Sequence, residues 1–407
     1  MLAGFGIADI TPRGSCELNG FGMRKQPALG VHKPLQARVL ILTSGRVRTL
    51  IGACDLLGLT FDDSRRIEKV LAQAAHIPVQ NVFLTSTHTH SAPMSMPLGM
   101  IGHFDKDYIR LLQRQLIQAA RQAQQDMLFV ERCRIGSRRT SGMGFFRCAA
   151  DEPGRDRWQG RISALEFRRK DGPAIAILSI GIHPLVFGPD NRYVHPDYPG
   201  NTCDLWENET GGHALFITGC GADVHPAHCW VGSNDTRAVQ ECAAGIVSQA
   251  HRALKNGQNL ALAALQSRLI TPTVHFSFQG PIPKTKIARW DKEIAAWNRG
   301  LARGRWPKSS PFPIHLLRLG KLVLVGMPAE LFHDTGEDLA RAFPRLHVLT
   351  VSQAGGDVGY LPRPFAYRRL TYEAASAHIG YGKAGAMPPG TEQRIRNRIE
   401  SAIRKIL

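Results

Sequence analysis

The sequence predicts an α/β protein, one large catalytic domain in which mixed sheets are flanked by helices. Short apolar runs of strand length alternate with longer stretches of helical periodicity. The run 314–325 carries Gly320-Lys321 at its centre and reads as a hairpin, so the sheets are mixed rather than purely parallel. The 407 residues are 43% hydrophobic and contain no linker rich in Pro, Ser or Gly, no low-complexity segment and no repeat period. That favours a single unit, residues 1–407, with a sizeable core.

In chain order, strands are expected at 37–43, 47–54, 81–85, 162–168, 174–180, 214–218, 265–278, 314–325 and 346–351. Helical periodicity fits 62–75, 106–124, 236–255, 284–303, 335–342 and a C-terminal helical tail at about 388–407. Asp62 and Ser64 are the expected caps of the first helix.

The most informative stretch is Thr85 to Pro93, TSTHTHSAP, which follows the apolar Asn81-Val82-Phe83-Leu84. Alternation along an extended backbone would send His88 and His90 to the same side. Two imidazoles at a strand end suit a divalent metal or proton transfer. A polar loop with two solvated histidines is the plainer alternative. Three later segments repeat the pattern. His183 ends the apolar run 174–182, Asp223 and His225 follow 214–217, and Glu330 follows 322–325. In α/β proteins ligands bind outside the carboxyl ends of strands, so a single metal site is expected there.

Composition narrows the class. No apolar run reaches 18 residues, which excludes a transmembrane helix. The start lacks the basic and apolar segments of a secretory leader, so a cytoplasmic location is expected. The eight cysteines form no C-x-x-C pair and sit mostly among apolar residues, as buried thiols do in reducing compartments. Fifty-one basic against 33 acidic residues give a net charge of +18, which attracts anionic partners. Much of it lies in 289–308 and 394–405, which read as amphipathic helices with basic faces. No nucleic-acid motif accompanies that charge, so peripheral contact with anionic surfaces is expected and specific nucleic-acid binding is not.

Together these residues resemble the catalytic domain of the neutral, non-lysosomal ceramidases and its shorter bacterial relatives. Ala3 to Pro12 is similar to that family's first strand and turn, and Asp55 to its acidic strand end. His88 and His90 match its Thr-His-Thr-His-Ser-Gly-Pro signature, with Ala92 in place of the glycine. His183-Pro184, Pro328-Ala329-Glu330, Gly359-Tyr360 and Tyr372-Glu373-Ala374-Ala375 match later motifs, and the likeness runs to about residue 385.

The resemblance implies one zinc ion per chain, held by His88, His183, Glu330 and Tyr360, with His90, Arg147 and Tyr372 lining the site and orienting substrate. For Arg147 a surface position, and for the two tyrosines aromatic core packing, are the alternatives. Two departures stand out. The family's Gly-Asp-Val-Ser-Pro-Asn segment reads Ala222-Asp223-Val224-His225-Pro226-Ala227 here, so His225 replaces the serine. The C-terminal sandwich domain of the long enzymes is expected to be absent.

The expected activity is zinc-dependent hydrolysis of an N-acyl or other small amide, small-molecule or lipid-like, by a zinc-activated water. His90 is the candidate general base or acid and His225 a second one, while Asp55 or Asp223 can fix an imidazole tautomer. The segment 187–200 is expected as a loop over the site, with His195 or Asp197 touching substrate. Met94 to Met100 is expected as an adaptable apolar wall, with core packing as the alternative. Two other functions stay open: a zinc esterase or lactonase, and a non-catalytic basic protein binding lipid or nucleic acid on the same scaffold.

Overall fold

The computed structural model describes residues 1–24, 26–98, 102–148, 151–155, 157–262, 265–278 and 288–407. Among them, the largest sheet has nine strands. Its path runs His213–Thr218, Ile175–Ile180, Gln159–Arg169, Leu128–Ser141, Leu2–Asp9, Gln36–Ser44, Val47–Cys54 and Val82–Ser86, with Gln258–Leu260 paired to Leu128–Ser141 off that path. The centre is antiparallel, whereas the pair at each edge is parallel. Parallel neighbours need a crossover, and each edge has one: helix Phe61–Ala75 on one side, helix Asp197–Thr210 on the other.

The sheet curls until its two edges approach each other, and a four-stranded sheet closes the gap. This second sheet runs Gln266–Ile270, Ile314–Leu319, Leu322–Gly326 and His347–Val351. Ser352, just past its last strand, is the tie. Its amide donates to Thr218 O (2.9 Å), and its carbonyl accepts from Thr85 Oγ1 (2.8 Å). Thr218 Oγ1 in turn donates to Thr87 O (2.8 Å). Phe5, Ile51, Phe83, Ile177, Leu215 and Leu324 form one buried cluster between the two sheets. On the other face Ile67, Leu71, Leu112 and Leu116 of the helices Phe61–Ala75 and Lys106–Gln125 cover the large sheet. Gly6 permits that contact, since a Cβ there would lie 2.0 Å from Ala119 O. The carboxyl ends of Val82–Ser86, Ile175–Ile180 and Leu322–Gly326 therefore converge on one corner.

Several elements differ from the sequence expectation. The run 265–278 breaks into Gln266–Ile270 and Thr273–His275 around Pro272, which has no amide to donate. Leu128–Ser141 is an unexpected strand. A bulge between Val130 and Arg132 puts Val130, Cys133 and Ile135 inside, which destroys the two-residue period. Asp197–Thr210 is helical where 187–200 was expected to be loop; Pro199-Gly200 falls in its first turn, where a missing amide hydrogen costs nothing. The first helix is capped by Thr60, whose hydroxyl accepts from Asp63 N (3.0 Å); Asp62 and Ser64 lie inside it. Of the helix expected at 284–303, Ala288–Ala302 is present and 284–287 lie outside the described residues. The C-terminal tail forms Thr391–Arg404. No helix among the described residues is long and apolar enough to cross a membrane.

Candidate metal centre

The backbone turns at His88, which has φ +71°, in the left-handed region. Its amide donates to Leu56 O (2.8 Å) and its Nδ1 to Leu57 O (2.6 Å). A carbonyl only accepts, so Leu57 keeps the proton on Nδ1 and frees Nε2 to act as a donor atom. His88 and His90 do share one spot, but through this turn rather than through strand alternation, because Val82–Ser86 has already ended. Their rings stand perpendicular, 5.2 Å between centroids. His90 packs against Gly20, where a Cβ would come within 2.3 Å of Nδ1. His183 is held by its amide, which donates to Val224 O (2.9 Å).

Three imidazoles and one carboxylate meet here. His183 Nε2 lies 3.1 Å from His88 Nε2 and 3.2 Å from His90 Nε2. Glu330 Oε2 lies 3.3 Å from His88 Nε2 and 3.7 Å from His183 Nε2. A tetrahedron with metal–ligand bonds of about 2.0–2.2 Å has edges of about 3.3–3.6 Å. The observed separations have that scale, and all four residues are buried. Glu330 Oε2 accepts no hydrogen bond despite its burial, a cost that a bound cation removes. The three-histidine group can thus hold a metal ion, and its imidazole nitrogens with the nearby Glu330 oxygen suit a borderline-soft divalent one.

Electrostatics agree. Burial, and then the neighbouring charge of His88, push His90 and His183 well below the usual imidazole range. Burial alone would lower His88 too, but the Glu330 carboxylate, with Asp357 behind it, leaves it raised. Burial would raise Glu330, yet His88 holds it down.

Beyond the cluster opens a cavity of about 590 Å³, lined by His90, Arg147, His225, Trp230, Tyr360 and Tyr372 among others. Arg147 is no surface arginine. Its Nε donates to Glu373 Oε1 (2.9 Å) and its Nη2 to Tyr360 Oη (3.1 Å). Tyr372 is 46% exposed and meets Tyr360 edge-on at 5.9 Å. Burial, followed by Arg147, lowers His225 to about 4, so its ring is neutral at pH 7.

Two solved structures share this architecture over 100% of the chain. One is the neutral ceramidase from Pseudomonas aeruginosa, with a TM-score of 0.78, 20% sequence identity and 75% of its own chain covered. The other is a ceramidase complexed with C2, with a TM-score of 0.76, 18% identity and again 75% covered. The chain has the neutral-ceramidase fold. No protein-family model matches the sequence, and a search of curated proteins gives no match.

On this ceramidase fold the remaining expected residues fall as follows. Tyr360, the expected fourth ligand, pairs with Glu330 in the parallel register of Glu330–Leu331 with Tyr360–Leu361. Its hydroxyl is engaged by Arg147, and burial pushes its pKa well up, so it stands beside the donor cluster as a phenol. Asp55 and Asp223 do not orient an imidazole, contrary to expectation. Asp55 accepts from Gln36 N (2.9 Å) and Thr87 Oγ1 (3.3 Å), with Arg38 at 3.8 Å. Asp223 binds Arg155 and accepts from His333 N (2.8 Å). The Leu57 carbonyl takes the tautomer role instead.

His195 and Asp197 do not line the main cavity. The His195 amide donates to Ser91 O (2.9 Å) and its carbonyl accepts from Thr89 Oγ1 (2.8 Å), so its backbone clamps the histidine loop. His195 also borders a separate cavity of about 420 Å³. Asp197 is spent on the amides of Tyr198 (2.7 Å) and Phe187 (3.2 Å). Met94 and Met96 are buried in the core rather than lining the cavity, and Gly99 and Met100 lie outside the described residues. One residue went unnoticed in the sequence: Tyr381 donates its hydroxyl to Glu330 Oε1 and reaches Asp357 Oδ2 at 3.4 Å. Only its distant neighbours in space reveal it, since Gly380-Tyr381-Gly382 carries no pattern of its own.

Proposed function

We propose that the protein is a zinc-dependent amidohydrolase, one zinc per chain, acting on an N-acyl or other lipid-like amide, with residues 1–407 forming its catalytic domain. The observation that carries this is the buried donor set, with its unsatisfied Glu330 oxygen, at the inner end of a largely apolar cavity. When bound there, zinc polarises a carbonyl and lowers the pKa of water towards about 7.

The chain's own residues supply the rest. His88, His183 and Glu330 would hold the ion, with Tyr360, whose hydroxyl accepts from Arg147 here, as the fourth ligand. Arg147, fixed by Glu373, and Tyr372 position the substrate carbonyl from the cavity wall. His90, kept neutral by burial, takes and returns the proton at its ring nitrogen. His225, also neutral and on the cavity wall, can relay the proton that His90 takes from water, accepting it at one ring nitrogen while releasing the one on the other to the departing amine. The position of His90 Nε2, 3.2 Å from His183 Nε2, favours a second assignment in which His90 itself is the fourth ligand. The two ceramidases of this fold support amide hydrolysis over ester or lactone hydrolysis. Cysteines buried among apolar side chains support a cytoplasmic location.

The deciding experiment measures bound metal in purified protein and hydrolysis of matched amide and ester panels, with and without chelator. Amide turnover that disappears with chelator and returns with zinc supports the proposal. Ester-only turnover makes it an esterase or lactonase. Metal-free protein with no turnover leaves the non-catalytic alternative.

A further inference from the structure

The cavity beside the metal centre is walled by rings. Six of its lining residues carry one, and Met23 and Leu185 are the only large aliphatics among those described. Four of the six are linked in series. Phe21 stands 4.9 Å from His90 and 6.2 Å from Trp230, and Trp230 stands 5.8 Å from His225. His225 in turn meets Phe145 edge-on at 5.7 Å. Tyr360 and Tyr372, the other two, meet each other edge-on at 5.9 Å. Exposure rises along the series: His90 and Phe21 are buried, whereas Trp230 and Phe145 are close to half exposed. The rings thus lead from the donor cluster out to solvent.

Core packing does not account for Trp230. It has φ +60°, in the left-handed region that side-chain-bearing residues avoid, and is 50% exposed. The conformation is nevertheless held. Trp230 N donates to Leu185 O (3.1 Å) and Val231 N to Val186 O (2.8 Å). Its backbone also presses on Gly188, where a Cβ would lie 2.8 Å from Trp230 Cα. A strained backbone that keeps a large ring half in solvent, on a cavity wall, marks a place that a ligand covers.

We infer that the substrate amide carries an aromatic ring within a few bonds of its carbonyl, seated against Phe21 and Trp230. An alkyl chain and an aryl group of equal area gain the same from burial. Only the aryl group adds edge-to-face or offset-stacked contacts with each ring it meets. A wall of leucine or valine would not distinguish the two; a wall of rings does. Aromatic walls also suit quaternary ammonium groups, but the charges here oppose one. Glu373, the one carboxylate among the described lining residues, is paired with Arg147 at 2.8 Å. Arg147 itself stands over the Tyr360 ring, 5.5 Å from its centroid, so a ligand cation would meet a like charge there. A neutral aryl group meets no such cost. The inference rests on the amidase reading for the bond that is cut, but not for the ring that binds.

The test uses the full chain and two ketones in which a methylene replaces the amide nitrogen, so that nothing can be hydrolysed: phenethyl butyl ketone and cyclohexylethyl butyl ketone. The cyclohexyl group is the larger and more apolar, so burial alone ranks it first. Calorimetry should instead show the phenyl ketone binding about two- to tenfold more tightly. Trp230→Leu should erase that preference while leaving cyclohexyl affinity within about twofold, and Trp230→Phe should keep it. Melting temperatures of both variants verify that they fold. Equal or tighter binding of the cyclohexyl ketone to wild type overturns the inference, as does failure to bind either ketone. An unchanged preference in Trp230→Leu overturns the assignment to that ring. Because calorimetry reads binding alone, a chain that prefers the phenyl ketone yet cleaves no amide keeps this inference and loses the amidase reading. A chain that cleaves amides but prefers cyclohexyl does the reverse.

Discussion

The inner end and the mouth of the main cavity obey opposite physics. At the inner end the groups are fixed: the buried His88 by two backbone carbonyls, the buried Glu330 by Tyr381, and Arg147 beside them by Glu373. At the mouth apolar side chains face solvent on tightly hydrogen-bonded turns with unfavourable backbone angles. The contrast separates two tasks. Donor geometry at the inner end sets reactivity, whereas the mouth sets what arrives.

The strongest way to break the comparison is to remove a donor. His88→Ala or Glu330→Ala should lose bound zinc and activity together, and metal analysis beside a rate assay checks it. Full zinc occupancy in His88→Ala would end the ligand assignment. Next, His90→Ala should keep its metal while turnover falls by roughly 10²–10⁴. If the metal leaves as well, His90 is the fourth donor, and Tyr360→Phe should then leave zinc content untouched.

Tyr381→Phe removes the hydroxyl that orients Glu330 without touching the donors. Metal affinity, read by chelator competition, should weaken by about 10–100-fold, with the fold intact. The smallest effect lies away from the cavity. Burial pushes the Glu68 carboxyl up to about 7 from 4.5. Stability from its protonated form is fully present below pH 4.5 and is lost as pH rises through about 7. Glu68→Gln should therefore raise the melting temperature by a few degrees at about pH 8 and leave it unchanged at about pH 4. A uniform shift at both pH values would show that packing, not charge, is responsible.

Legibility in the sequence followed how local each signal was. Val47–Cys54 and Thr236–Lys255 match the expected spans because an apolar run and a helical period declare themselves without help from elsewhere. Leu128–Ser141 was hidden because a bulge scrambled its period. The positions of His88, His183 and Glu330 were readable because each lies just past an apolar strand. The same pattern misled for Asp223, which also follows a strand but faces Arg155. Pattern marks the end of the sheet, not the direction of a side chain. Tyr381 and the Leu57 carbonyl could not be found that way, since their partners are chosen only by tertiary packing.

The Ser352 tie between the two sheet edges has a wider implication. The imidazoles and carboxylate come from positions 88 to 330, and Ser352 ties together the strand ends that carry them. A chain that stops before Glu330 keeps the three imidazoles but lacks the carboxylate. Metal uptake during synthesis should therefore strengthen late, when that last donor and its tie are in place.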